Sequence, residues 1–195
     1  IWVARQKALY EFDSKGTLRK RYNLNYPCIS LYENRQGDLY FSTQNCEFYK
    51  ISAKGKNVLL SKRISVRNII EDKNTGNCWL LTGGSDIWYY QPNAKTTRTK
   101  FIQQQVPATL RNASFREVVQ DNRFHYLWLL DNQHIYVVRP TANHVLEEVP
   151  TTSLFTQEKK IIAHIYKSKE GNIWVSAFDH YSFIINFQGS DVQNY

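Results

Sequence analysis

The chain of 195 residues has no methionine and no long apolar run. No stretch approaches the roughly 18 consecutive apolar residues that a membrane-spanning helix needs, so we expect none within this sequence. The chain starts on a strand-like pattern, Ile1-Trp2-Val3, which together with the missing initiator methionine indicates a processed chain or a fragment. Its 42% hydrophobic and 22% charged residues are typical of a globular protein and not of a disordered one.

Cysteine is scarce, since Cys28, Cys46 and Cys78 are the only three and lie 18 and 32 residues apart. The sequence has no CxxC pair with a companion histidine pair, which argues against a zinc site. An odd number of cysteines also argues against a full disulfide framework. We therefore expect buried free thiols, and a Cys28–Cys46 disulfide stays open as the alternative.

Motifs that carry catalysis are missing as well. The sequence has no GxSxG, no HExxH, no P-loop and no GxGxxG. No metal-ligand spacing links the five histidines, which are His125, His134, His144, His164 and His180. We therefore predict that this segment is not an enzyme and that it holds no metal and no cofactor.

Positive charge is concentrated near the start of the chain. Lys and Arg number 25 against 17 Asp and Glu, a net charge of +8, and residues 1–65 hold 12 of the former and 5 of the latter. A basic face can attract polyanions. The densest cluster is only Arg19-Lys20-Arg21, so we favour a solvated surface and expect no nucleic-acid partner for this segment.

What the sequence does contain is a repeat. Gly76-Asn77-Cys78-Trp79-Leu80 and Gly171-Asn172-Ile173-Trp174-Val175 share one pattern, and looser copies surround other aromatic residues. These aromatic anchors are Trp2, Tyr40, Trp79, Trp128 and Trp174, separated by 38, 39, 49 and 46 residues. Three residues before Trp128, where the pattern has glycine, His125 stands instead.

Each repeat contains four short runs of β-branched and aromatic residues, separated by Gly, Asn, Asp, Ser or Lys. Four-stranded units of roughly 40–50 residues are the signature of β-propeller blades. We predict an all-β chain, a propeller segment with about four and a half antiparallel blades of a larger, seven-bladed ring. The predicted blades span residues 1–26 (partial), 27–64, 65–106, 107–152 and 153–195.

Large aromatic residues at one repeated position fill the gap between neighbouring blades, because each buries a large area. We therefore predict that Trp79, Trp128 and Trp174 are core residues and not platforms for sugars. Trp2 and Tyr40 occupy the same repeat position and serve as structural anchors in the same way.

The segment 66–73, followed by Gly76-Asn77-Cys78-Trp79 and Ile87-Trp88-Tyr89-Tyr90, resembles the two-component regulator propeller repeat, and residues 170–175 fit the same pattern. Such repeats occur in the extracytoplasmic sensor regions of Bacteroides-type hybrid two-component histidine kinases. The resemblance implies a periplasmic part of an inner-membrane receptor that senses a glycan or oligosaccharide and signals to transcription. It also implies further blades of the same receptor, a homodimeric full receptor and a membrane helix downstream of this segment.

In a propeller, the turns from second to third strand share one face with the turns that lead into the next blade. We predict ligand binding at this face, by polar and aromatic residues in or beside the former turns. These are Gln44, Asn45, Asp86, Trp88, Asp131, Asn132, His134, Asp179, His180 and Tyr181. The alternative is plain hairpin-turn chemistry, because Asn, Asp and Gly favour such turns anyway.

Two other functions stay open at this point. A propeller can act as a non-catalytic scaffold that binds another protein through one face, and the fold alone does not exclude this role. The basic segment 1–65 also fits a polyanion-binding module, for which salt-dependent binding is the expected sign.

Overall fold

The computed structural model describes residues 1–72, 74–96, 100–131, 134–149, 162–178, 182–185 and 192–194. The described residues form antiparallel β-sheets, with a short 3-10 turn at Ala108–Leu110. The predicted all-β architecture is confirmed. Contacts divide the chain into two compact units, Ile1–Ile69 and Ile70–Tyr195.

Unit 1 contains sheet 1, which has three strands, and sheet 2, which has four. The strands of sheet 1 are β1 (Trp2–Arg5), β2 (Ala8–Phe12) and β3 (Leu18–Asn23). The strands of sheet 2 are β4 (Cys28–Glu33), β5 (Leu39–Thr43), β6 (Phe48–Ile51) and β7 (Asn57–Ser61). Each strand pairs with the next one along the chain, so both sheets are simple meanders.

Sheets 3, 4 and 5 follow with four strands each, and the unit boundary falls within the first strand of sheet 3. Sheet 3 consists of β8 (Val66–Glu71), β9 (Cys78–Thr82), β10 (Ile87–Tyr90) and β11 (Phe101–Gln103). Sheet 4 consists of β12 (Glu117–Gln120), β13 (Leu127–Leu130), β14 (Ile135–Pro140) and β15 (Leu146–Glu148). Sheet 5 consists of β16 (Ile162–Lys167), β17 (Ile173–Ala177), β18 (Ser182–Ile185) and β19 (Val192–Asn194).

In this meander the turn between the first and second strands (the first turn) and the turn between the third and fourth (the third turn) lie at one end of each four-stranded sheet. The second turn lies at the other end. This follows because successive antiparallel strands reverse direction.

The core of unit 2 lies between neighbouring sheets. Leu127 and Leu129, on either side of the anchor Trp128, belong to the same core cluster as Trp79. Trp128 in turn packs with Ile173 and Val175, which flank Trp174. Trp79 and Trp128 therefore each pack against the sheet that follows along the chain.

The anchors Tyr40, Trp79 and Trp128 are 1%, 5% and 4% exposed, as the core prediction requires. Trp2 is half-buried. The prediction is wrong for Trp174, which is 41% exposed. An anchor is buried by the sheet that follows it along the chain, and the described residues contain no sheet after sheet 5 that could cover Trp174.

The thiols and the basic cluster are also placed. All three cysteines are free; Cys78 is buried as expected, whereas Cys28 and Cys46 are half-buried and form no disulfide. Burial raises the pKa of the Cys28 thiol to about 11. The cluster 19–21 lies exposed on β3 at the edge of sheet 1, where charged side chains oppose pairing with a further strand. Within the described ranges, no helix is long and apolar enough to cross a membrane.

Candidate functional site

A cleft of about 290 Å³ lies in unit 2, where Asp72 of the sheet 3 first turn, the β9–β10 surface and Gln104 meet the first and third turns of sheet 4. Aromatic and hydrogen-bonding side chains line it together, a combination typical of small-molecule sites. The lining residues of this sheet 3–4 cleft are Asp72, Trp79, Tyr89, Gln104, Gln120, Phe124, His125, Pro140, Thr141, Ala142 and His144.

The sheet 3 side of the cleft is a fixed aromatic wall. The ring of Tyr89 packs on that of Trp79, with 4.4 Å between the centroids. The Tyr89 hydroxyl lies 3.0 Å from Thr75 Oγ1, accepts from Asn77 Nδ2 at 3.0 Å and donates to Asp72 Oδ2 at 3.4 Å. Burial raises the pKa of this phenol, so it stays protonated and keeps a proton to donate.

Trp79 brings an unusual polar group to this wall. Its Nε1 is buried and has no hydrogen-bond partner among the described residues. The equivalent Nε1 of Trp128 in sheet 4 donates to Asp121 Oδ2 at 3.4 Å. Asp72, seven residues before Trp79 as Asp121 is before Trp128, accepts instead from the Asn74 N–H and the Tyr89 hydroxyl. A buried donor without a hydrogen-bond partner lowers the stability of the folded protein. Such groups are rare in native structures, and a functional role is one explanation for them.

The sheet 4 side of the cleft carries histidine at a position where three other first turns have glycine. Gly37, Gly76 and Gly171 have φ values of 77°, 68° and 96°, and each lies three residues before an anchor. His125 occupies this position in sheet 4 with φ 58°. An L-residue in this left-handed region costs roughly 1–2 kcal/mol relative to glycine.

The third turn of sheet 4 shows the same replacement. In sheet 2 this turn contains Gly55. Sheet 1 has only three strands, but β1 carries the anchor Trp2 and so matches a second strand; its β2–β3 turn therefore counts as a third turn and contains Gly16. Both glycines have φ 80°, and each donates its N–H to the carbonyl three residues earlier. His144 does the same, donating to the Thr141 carbonyl at 3.2 Å, with φ 60°. Both histidines of sheet 4 that replace a turn glycine therefore line one cleft.

The two imidazoles differ in their partners. His125 Nε2 lies 3.1 Å from Asn74 Nδ2, so the amide of the sheet 3 first turn holds the ring in place. The His144 ring is exposed and makes no hydrogen bond with any residue that the structure describes. Its backbone is fixed, since its carbonyl accepts from the Gln105 N–H at 2.8 Å.

Of the predicted site residues of unit 2, Asp86, Asp131 and His134 lie in the second turns at the opposite end of the sheets, and no predicted residue that the structure describes lines this cleft. Asp86 is exposed and accepts from Gln103 Nε2 at 3.0 Å. Asp131 accepts from the His134 N–H at 2.7 Å and from the Tyr136 hydroxyl at 3.1 Å. Burial, reinforced by the Asp131 charge, raises the pKa of Tyr136 to about 12. For Asp131 this is turn chemistry, the alternative that the sequence left open.

The other predicted residues gain no shared site. Trp88 is half-buried on β10, opposite Leu80, and the His134 ring is exposed. Gln44 and Asn45 are exposed in the second turn of sheet 2, in unit 1. Four predicted residues lie outside the described residues, namely Asn132, Asp179, His180 and Tyr181.

A second cleft, of about 440 Å³, includes one predicted residue, Asp86. It runs along Gln103–Ala108 and Arg111 and has no aromatic lining residue. Among the described residues, no group of three or more His, Cys, Asp or Glu side chains is placed to hold a metal ion. The sheet 3–4 cleft is therefore the better candidate for a ligand site.

Sequence reasoning missed His144, although a signal for it exists. Aligning the turns 13–17, 52–56 and 141–145 places His144 under two glycines. The replacement of glycine by His125 is visible in the repeat itself. What the repeat does not reveal is that both turns meet at one cleft.

No protein-family profile matches the chain, and no curated protein sequence does. Solved structures that are similar include virginiamycin B lyase from Staphylococcus aureus, with a TM-score of 0.70 and 17% identity over 100% of this chain and 65% of the lyase. PorZ of the Porphyromonas gingivalis type-IX secretion system has a TM-score of 0.72 and 13% identity over 100% of this chain and 32% of PorZ.

The extracellular domain described as part of a hybrid two-component system of B. thetaiotaomicron has a TM-score of 0.66 and 18% identity, over 100% of this chain and 27% of that one. This chain thus spans less than two thirds of the length of all three structures. At these identities the similarity concerns the fold: the chain is part of a β-propeller with four-stranded antiparallel blades.

Proposed function

We propose that this chain is an extracytoplasmic sensor segment of a hybrid two-component receptor and that the sheet 3–4 cleft binds a glycan fragment. The main support for this proposal is the composition of the cleft, which places aromatic rings beside carboxylate, amide, hydroxyl and imidazole groups. Sugars present apolar C–H faces and a rim of hydroxyls, and such a site meets both. The repeat motifs around Trp79 and Trp174 support the receptor family.

Binding would transmit a signal only if the ligand has different affinities for two arrangements of the receptor. The periplasmic location, the homodimer and the downstream kinase belong to this proposal. So does the absence of a catalytic role for the segment. Ligand pockets range from about 300 to 1,000 Å³, and the volume of this cleft lies near the lower end of that range. The cleft therefore fits a short fragment of one or two sugar rings.

The first test is a thermal-shift screen of the 195-residue protein with maltotriose, cellotriose, xylotriose and mannotriose. A ligand that binds only the folded state raises the melting temperature, by about 5 °C near 100 times its Kd. No shift with any of the four would contradict the proposal.

A matched pair of variants then locates the site. Phe124 lines the cleft and is 49% exposed, whereas Phe178 is 68% exposed and lies outside it. We expect Phe124→Ala to reduce the ligand-induced shift and Phe178→Ala to retain it. Asp86→Ala probes the opposite end of the sheets, and loss of binding in that variant alone would move the site to the originally predicted face.

A further inference from the structure

We infer that His125 and His144 are the specificity-determining contacts of the sheet 3–4 cleft and occupy their turn positions for ligand binding at the expense of stability. This inference rests on the proposed function, because it names the residues through which that cleft reads its ligand.

At the third-turn position folding alone favours glycine, whereas at the first-turn position the His125 ring also contacts Asn74 Nδ2 at 3.1 Å. The hydrogen bonds of the third turn are the same in sheets 1, 2 and 4: the first residue of each turn donates to the carbonyl of the fifth, and the fourth donates back to the first. Gly16, Gly55 and His144 are the fourth residues of these turns. The turn therefore forms with either residue, and histidine adds only the strain of a left-handed backbone.

Left-handed non-glycine residues elsewhere do not share this setting. Cys46, with φ 58°, lies in the second turn of sheet 2, and Gln6, with φ 50°, lies in the equivalent β1–β2 turn of sheet 1, whose strand β1 carries the anchor Trp2. In these turns of sheets 1 and 2 no glycine occupies the left-handed region, so Gln6 and Cys46 do not stand where the repeat has a glycine. The coincidence is specific to sheet 4, where the first and third turns both exchange glycine for histidine and both face one cleft. Strained residues that meet at a cleft point to binding.

Imidazole chemistry fits hydroxyl recognition. A neutral imidazole has one N–H donor and one bare nitrogen that accepts, so it can match a sugar hydroxyl, which also donates and accepts. The Asn74 amide nitrogen lies 3.1 Å from Nε2 and 3.4 Å from Nδ1 of His125, so it fixes the ring at the cleft, where a ring nitrogen can exchange this contact for a ligand hydroxyl. His144 has both ring nitrogens available to a ligand. The pair thus suits a neutral, hydroxyl-rich ring better than a cation.

The test measures affinity and stability in the same variants, with the trisaccharide that gives the largest shift for the wild type as the probe. We expect His125→Gly and His144→Gly each to weaken binding about tenfold, the loss of one hydrogen bond. The melting temperature of the ligand-free protein should rise by about 2–4 °C in His144→Gly, whereas in His125→Gly the lost contact with Asn74 offsets the relief of backbone strain. His134→Gly, in an exposed turn outside the cleft, is the control and should leave binding unchanged.

His125→Asn separates side chain from backbone, since Asn tolerates the left-handed region and keeps a donor and an acceptor. It should recover part of the affinity that His125→Gly loses. Unchanged affinity in both glycine variants would overturn this inference while the proposed function survives. If no probe binds the wild type, the proposed function fails and this inference fails with it.

Discussion

Sheets 3 and 4 contain the same turn, used in two ways. In sheet 4, Asp121 is 1% exposed and accepts from the N–H groups of four successive residues, 123–126, and from Trp128 Nε1. In sheet 3, the equivalent Asp72 is half-buried and accepts from Asn74 and Tyr89, and Trp79 Nε1 has no hydrogen-bond partner in the part of the chain that the structure describes. In sheet 4, the hydrogen bonds of the aspartate hold its own turn together. In sheet 3, the turn leaves polar groups at the cleft.

The comparison shows how a repeat can diverge without changing its fold. Both turns run over six residues and close with the same backbone bond, from the aspartate N–H to the carbonyl five residues later, at 2.8 Å in sheet 3 and 3.1 Å in sheet 4. What differs is side-chain satisfaction. In sheet 4, the aspartate accepts hydrogen bonds from its own turn, and two histidines have a strained left-handed backbone. In sheet 3, a glycine adopts that backbone without strain, and the aspartate accepts fewer hydrogen bonds from the described residues.

The largest expected effect comes from removing the two aspartates. Asp121→Ala leaves five donors without this acceptor, among them the buried Trp128 Nε1, and should lower the free energy of unfolding by about 4 kcal/mol. Asp72→Ala should cost about 1 kcal/mol, because the Tyr89 hydroxyl keeps Thr75 and Asn77 as partners. Urea unfolding followed by tryptophan fluorescence measures both. Equal losses would mean that the two turns are not functionally different.

Alanine at the turn glycines should have the next largest effect. A Cβ at Gly171 would lie 2.7 Å from Asn122 Nδ2, and φ is 96°, so Gly171→Ala should cost about 2 kcal/mol. At Gly76 the nearest atom would be Glu71 Oε1 at 3.9 Å, so Gly76→Ala should cost only the backbone strain, about 1 kcal/mol. Denaturation midpoints of the two variants check the order, and the reverse order would refute it.

Phenylalanine at the two buried anchors should give the smallest difference. Trp79→Phe and Trp128→Phe remove similar buried area, since the side chains are 5% and 4% exposed. Trp128→Phe also removes a hydrogen bond, to Asp121, whereas Trp79→Phe removes none with the described residues. Trp128→Phe should therefore be more destabilising by about 1 kcal/mol. If Trp79→Phe proves the more harmful, its Nε1 has a partner in solution.

The fold was predictable because it depends on repeated local chemistry. Anchors such as Trp79 and Trp128 recur at a fixed place in each repeat, and the residues on either side pack on the preceding anchor. The same rule explains the failure at Trp174, since burial of an anchor depends on a following sheet and not on its own sequence.

The site was less predictable because turn residues have two roles. Asp131 and Asp86 carry polar groups that suit ligands, but the structure uses Asp131 to hold its own turn. The sheet 3–4 cleft forms only when Tyr89, His125 and His144, up to 55 positions apart in the sequence, approach in three dimensions. Left-handed histidine in place of glycine is the local signal that points to it.

Hydrogen–deuterium exchange, with and without the best-binding trisaccharide, tests the location of the ligand site most directly. We expect ligand protection in segments 72–77, 121–126 and 141–145, the turns around the sheet 3–4 cleft, with segment 83–86 unchanged. Protection confined to segment 83–86 and the neighbourhood of Asp131 would place the ligand at the opposite end of the sheets and contradict the account.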